Sequence, residues 1–187
     1  MDDEQLVERC RGGDGGAFET LILRHQAACF SLAVRMLGDR EEAMDAFQDS
    51  CVKAWRAIGD MRGGAFKSWM SSIVARTCLD RLRSRRPQVG LEDHEGRVIP
   101  LPDPRPGPES MAVSNERIRT IESGLGRLTP DHRAIILMRD LSGMSYEEIA
   151  ESLELPVGTV RSRLARARAS LQADLLRQDP HILEAFA

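Results

Sequence analysis

The segment PLPDPRPGP, residues 100–108, places proline at every second position and divides this 187-residue chain in two. Proline removes a backbone donor, fixes φ, and biases the residue before it away from helix. A run of this kind cannot form a helix interior or an interior strand; it reads as an extended tether. The span 88–110 around it holds two basic and five acidic side chains. An acidic, proline-rich linker of that length reaches about 70 Å in polyproline-like form. Residues 1–87 and 111–187 are therefore expected to be two separate domains, each with a modest core.

Both halves read as helical. Aromatic residues make up only 4% of the chain and β-branched runs are few, which argues against a sandwich or barrel. The expected fold class is all-α. A short helix near 3–11 ends at RGGDGG, and Phe18, Leu21, Ile22, His25, Cys29, Leu32 and Met36 form the stripe of a second. In the third, Ala43, Phe47, Cys51, Ala54, Trp55 and Ile58 point inward, and Asp45, Gln48, Asp49 and Arg56 outward. After the loop GDMRGGA, a fourth helix buries Phe66, Trp69, Met70, Ile73, Val74, Thr77 and Cys78. Its end is strongly basic, with five arginines and one aspartate in residues 76–86, and Pro87 closes it.

In the second half, Ile118, Ile121, Leu125 and Leu128 mark one helix. Thr129 is a suitable N-cap for the next, with Pro130 in its first turn and Asp131 complementing its dipole. Ser145 and Glu148 have the spacing of a capping box that opens a short helix. Leu155-Pro156 separates it from a longer basic helix, and the three parts together make a helix-turn-helix.

On a helical wheel Val157, Val160, Leu164, Ala167, Leu171 and Leu175 share one side of that last helix. Opposite lie Ser162, Ala165, Arg166 and Ala169, flanked by Arg161 and Arg168 on one edge and Arg163 on the other. A slim face of small residues with a central arginine can enter a major groove, where arginine bridges guanine O6 and N7. Flanking arginines reach phosphates. A face that served only to keep the helix solvated would interleave acids for i,i+4 pairing, but residues 157–170 carry none.

The charge balance bears on how such a chain holds DNA. With 26 basic and 29 acidic residues it is net negative, whereas self-sufficient DNA binders carry a basic surplus. A partner is expected to supply the remaining affinity. The acidic start MDDEQLVERCRGGDGG has no apolar h-region, and the longest aliphatic run, AIILM, is far short of a span, so a cytoplasmic protein without membrane insertion is expected. Cys10, Cys29, Cys51 and Cys78 lie far apart and read as buried free thiols. His25 and Cys29 have i,i+4 spacing, but both belong to the core stripe, which favours packing over a metal. No catalytic set, phosphate loop or metal cluster stands out, so neither an enzyme nor a cofactor is expected.

The pattern SYEEIAESLELPVGTVRSRLARAR resembles region 4 of bacterial sigma factors of the extracytoplasmic-function group. LVERCRGGDGGAFETLILRHQ, DAFQDSCVKAWRAI and FKSWMSSIVARTCLDRLRSRRP resemble, in order, the opening, polymerase-binding and promoter-melting helices of region 2. The resemblance implies that Asp45, Gln48 and Asp49 face the clamp helices of core RNA polymerase. It implies that Met61, Arg62, Lys67, Ser72, Arg76 and Arg83 meet the −10 element of promoter DNA. Arg161, Ser162, Ala165 and Arg166 would read the −35 element, with Arg163 and Arg168 near phosphates. Arg76 stands where the family usually has asparagine. Members are commonly held inactive by an anti-sigma factor, and a free monomer is implied. Two other readings are an autonomous helix-turn-helix regulator and an interaction protein switched through its thiols.

Overall fold

The computed structural model describes residues 1–61, 64–85, 108–180 and 182, with side chains from 118 onward in the second half. Arg62 and most of the linker, residues 86–107, lie outside the described residues. Eight α-helices are described, and no strand among the described residues. They are α1 (Asp3–Arg11), α2 (Gly15–Leu37), α3 (Arg40–Ala57), α4 (Phe66–Ser84), α5 (Pro108–Arg127), α6 (Pro130–Ile136), α7 (Tyr146–Leu153) and α8 (Val157–Gln178).

The helix ends are written in short polar side chains. Asp2 and Gln5 form a capping box on α1, and Asp14 and Asp39 accept from the backbone N–H groups of Ala17 and Glu42 to open α2 and α3. Thr129 caps α6, and Ser145 with Glu148 closes both bonds of the box on α7. Gly38 ends α2 at φ 75°, a left-handed position that glycine takes without a Cβ penalty. Helix α5 begins at Pro108, so it reaches into the span assigned to the linker; proline suits a first helical turn, whose N–H has no partner in any case.

Helices α1–α4 pack around Leu21, Leu32, Met36, Phe66, Met70 and Val74, and α5–α8 around Ile135, Met138, Met144, Ile149 and Val160. Gly124 allows α5 to lie close on α8: a Cβ there would come within 2.9 Å of Leu171 Cδ1. The buried apolar residues of the two halves join in one continuous cluster. Two inward expectations do not hold. Trp55 is 38% exposed, with the Phe18 ring beside its own at 5.1 Å between centroids, and Ile118 is equally exposed on α5.

Candidate nucleic-acid interface

Helix α8 seats itself through Val160, Leu164, Ala167 and Leu175, all buried. That stripe turns Arg161, Ser162, Ala165, Arg166, Arg168 and Ala169 to solvent. The arginines differ in their surroundings. The Arg166 side chain lies along its own helix, donating from Nε to the Ser162 carbonyl at 3.3 Å, and remains exposed. Arg161 sits over the Tyr146 ring at 5.4 Å, and Arg139 occupies the same ring at 4.8 Å. Arg168 donates to the Asp140 carboxylate and forms an ion pair with it. Arg163 is half-buried and lines a cleft against α4.

Asp140 belongs to a π-helical turn, Leu137–Leu141, that follows α6. Sequence reasoning missed Tyr146, Arg139 and Asp140, although Tyr146 is the only tyrosine in the chain and stands at the start of the helix-turn-helix. The turn between α7 and α8 passes through Glu154 at φ 55°, the one non-glycine residue with positive φ among the described residues.

The outer face of α3 presents Asp45, Gln48 and Asp49 to solvent as expected. Met44 and Val52 extend the same face and are 42% and 50% exposed, apolar positions that the periodicity argument passed over. Asp49 is paired with Arg81 of α4.

The residues of the expected −10 contact do not share one surface. Met61 is buried at 4% exposure, and its carbonyl accepts from the Arg11 Nη2 at 2.6 Å. Its side chain is turned inward, because the 3₁₀ turn Ile58–Asp60 folds the loop back on α1. Lys67 and Ser72 are half-buried, with the Ser72 hydroxyl donating to the Ser68 carbonyl. Arg83 is exposed and pairs with Asp131 at 3.3 Å. Arg76 donates across the halves to the carbonyls of Ser152 and Glu151.

The thiols have the character of packing residues. Burial pushes Cys29 up to about 11 and Cys78 up to about 12, so both stay protonated. His25 is held at the edge of the core, its Nε2 2.7 Å from Asp3 and its ring on Phe66. No cluster of His, Cys, Asp and Glu suited to a metal occurs among the described residues. No described helix is long and apolar enough to cross a membrane.

An arginine-bearing helix-turn-helix, together with a helical bundle whose third helix exposes Asp45, Gln48 and Asp49, defines an all-α protein of the helix-turn-helix class. The comparisons carry this to a family. Residues 21–88 match the Sigma-70 region 2 family and residues 118–171 the Sigma-70, region 4 family. The chain is 39% identical to the RNA polymerase sigma-H factor of Pseudomonas aeruginosa over 182 residues, covering 92% of this chain and 93% of that protein. It is 37% identical to the ECF RNA polymerase sigma-E factor of Haemophilus influenzae, over 92% of this chain and 94% of the other. Among solved structures it resembles CnrH in complex with the cytosolic domain of CnrY, with TM-score 0.67, 29% identity and coverage of 95% and 98%. It also resembles the sigma factor RpoE bound to the anti-sigma factor NepR from Bartonella quintana, with TM-score 0.66, 26% identity and coverage of 87% and 98%. The chain belongs to the extracytoplasmic-function sigma factors of bacterial RNA polymerase. That family is a non-catalytic class of initiation factor, and the autonomous-regulator reading gives way to it.

Proposed function

We propose that this chain binds core RNA polymerase in the cytoplasm and directs it to a distinct set of promoters, under the control of an anti-sigma factor. The observation that carries this is the exposed face Arg161, Ser162, Ala165 and Arg166, free of acids and held outward by the buried apolar residues Val160, Leu164 and Ala167 on the opposite side. In an otherwise acidic chain such a face adds specificity while a partner adds affinity.

Within this reading, residues 1–87 form region 2, residues 88–110 the linker and residues 111–187 region 4. Asp45, Gln48 and Asp49 engage the polymerase clamp, with Met44 and Val52 as apolar anchors beside them. Lys67, Ser72, Arg76 and Arg83 are the described candidates for the −10 strand, and Arg62, outside the described residues, is a further candidate from the sequence. Arg161, Ser162, Ala165 and Arg166 read the −35 duplex, with Arg163 and Arg168 on its phosphates. Anti-sigma control is supported by the likeness to RpoE bound to the anti-sigma factor NepR, which extends over 98% of that chain.

Run-off transcription with purified core polymerase tests the proposal. Adding the chain is expected to produce new, promoter-specific transcripts. Identical transcripts from core alone and core plus chain, on all candidate promoters, would overturn it.

A further inference from the structure

Of the four arginines in the segment 160–168, Arg168 is the one with a carboxylate in ion-pair contact among the described residues. Arg161 lies over the Tyr146 ring, and Arg166 donates to the Ser162 carbonyl of its own helix. Neither of those partners carries a net charge. Arg168 instead donates from Nε to the Asp140 Oδ2 at 3.2 Å and from Nη2 to the Asp140 Oδ1, a two-point fork on one carboxylate. The sequence places Arg168 near DNA phosphates, yet in the free chain its charge is already matched.

The turn that carries Asp140 fixes it there. The Ser142 N–H donates to the Leu137 carbonyl at 3.0 Å, five residues back, so the chain after α6 is wound more widely than an α-helix. Leu137 and Met138 are buried and anchor the turn, which leaves Asp140 on the surface beside α8. The Arg168 and Asp140 side chains are 50% and 43% exposed, so both remain open to an approaching phosphate. A surface pair of this kind adds little to the stability of a fold. Its larger consequence is for DNA, because the chain has 26 basic against 29 acidic residues and the pair removes one cation from the edge of its reading face.

We propose that Asp140 is a positioning residue that restrains DNA binding: it holds the Arg168 guanidinium, so that a phosphate gains this cation only by displacing a carboxylate. The proposal rests on the reading of α8 as the DNA-facing helix. Neutralised phosphates supply the part of the affinity that does not depend on sequence. Withholding one cation therefore lowers affinity for every duplex by about the same factor. Base reading by Arg166, which sits at the centre of the face and not at its edge, is left intact. The free chain is thereby kept off bulk DNA, and stable promoter binding depends the more on polymerase.

Asp140→Asn in the full-length chain tests this, since it keeps the size of the side chain and removes its charge. Fluorescence anisotropy, with one duplex carrying the −35 element and one scrambled, is expected to show both bound about two- to fivefold more tightly. The plot of log K against log salt is expected to steepen by about 0.9, the increment of one further phosphate. Asp140→Glu, which keeps the charge, should bind like wild type, and adding Arg168→Ala to Asp140→Asn should return the slope to the wild-type value. Unchanged or weaker binding by a folded Asp140→Asn chain overturns the proposal, while run-off transcription by wild type judges the promoter reading separately. A gain confined to the −35 duplex, or a slope that stays steep without Arg168, also overturns it, because the cation released is then not Arg168 acting on phosphate. If neither wild type nor Asp140→Asn binds any duplex at low salt, the proposal and the DNA reading of α8 fall together.

Discussion

The Arg161 guanidinium lies over the Tyr146 ring, 5.4 Å from its centroid, with Arg139 against the same ring at 4.8 Å. One tyrosine thus holds the leading arginine of the recognition helix at the junction of α7 and α8. The arrangement orders a long side chain before DNA arrives, and preordering lowers the cost of binding. Exposed cation–π contacts contribute about 0.5–1 kcal/mol. Tyr146→Ala is therefore expected to weaken −35 duplex binding about two- to fivefold. Tyr146→Phe, which keeps the ring, should bind close to wild type in fluorescence anisotropy. Equal losses from both substitutions would assign the effect to the hydroxyl instead.

Arg166 and Arg163 separate into different tasks. Arg166 is exposed at the centre of the outward face, whereas Arg163 is half-buried at its edge. Arg166→Ala should cost about 1–3 kcal/mol on the cognate −35 sequence and little on a scrambled one. Arg163→Ala should weaken both sequences alike and flatten the salt dependence. Competition binding against cognate and scrambled duplexes at two salt concentrations reads both outcomes.

What was legible beforehand follows from the kind of information involved. Helix existence in both halves rests on apolar stripes and on caps such as Thr129 and Ser145, which are local and survive in the structure. The outward face of α8 was legible for the same reason, since burying Val160, Leu164 and Ala167 fixes what points away. The burial of Met61 was not legible, because a loop between helices looks exposed until α1 is seen to fold against it. Trp55 was misread because periodicity marks a face without saying how far the neighbouring helix covers it. Arg76 was conspicuous as a departure, but its partners are backbone carbonyls 75 and 76 residues away, which no side-chain pattern encodes.

Asp3 ties α1 to α2 through Arg24 and His25. Burial pushes its carboxyl up, but the His25 and Arg24 bonds and charges outweigh this and hold it below the ordinary carboxylate range. A carboxylate depressed in the folded state contributes stability that is present above its unfolded value and lost as pH falls through the folded one. Both side chains are partly exposed, so the contribution is modest. Asp3→Asn should lower Tm by about 2 °C or less at pH 6 to 7, with the gap to wild type closing below about pH 4. Thermal unfolding across that range checks the sign. A gap that widened on acidification would contradict it.

The thiol-switch reading makes an opposite demand on the same core. Cys29 and Cys78, pushed up to about 11 and about 12 by burial, hold negligible thiolate at neutral pH. Cys51 is half-buried, and burial raises it as well. Iodoacetamide at pH 8 should leave Cys29 and Cys78 unmodified in the folded chain, with any early label on Cys51. Peptide mass mapping gives the order of labelling. Rapid alkylation of Cys29 or Cys78 without unfolding would restore a redox role.

Glu154 ends α7 in the left-handed region at φ 55°, where a Cβ crowds the following carbonyl. Its backbone N–H still closes the helix, donating to the Glu151 carbonyl at 3.3 Å, so the turn needs the conformation and not the side chain. The left-handed penalty is about 1–2 kcal/mol, and glycine avoids it while adding some unfolded-state entropy. Glu154→Gly is therefore expected to stabilise the chain by about 0.5–1 kcal/mol, or roughly 1–4 °C in Tm. Glu154→Val, with a branched side chain at the same φ, should destabilise it. Opposite signs for the two substitutions in thermal unfolding identify backbone strain as the cause; a loss for both would mean that the carboxylate, which borders the cleft beneath Arg76, holds the halves together.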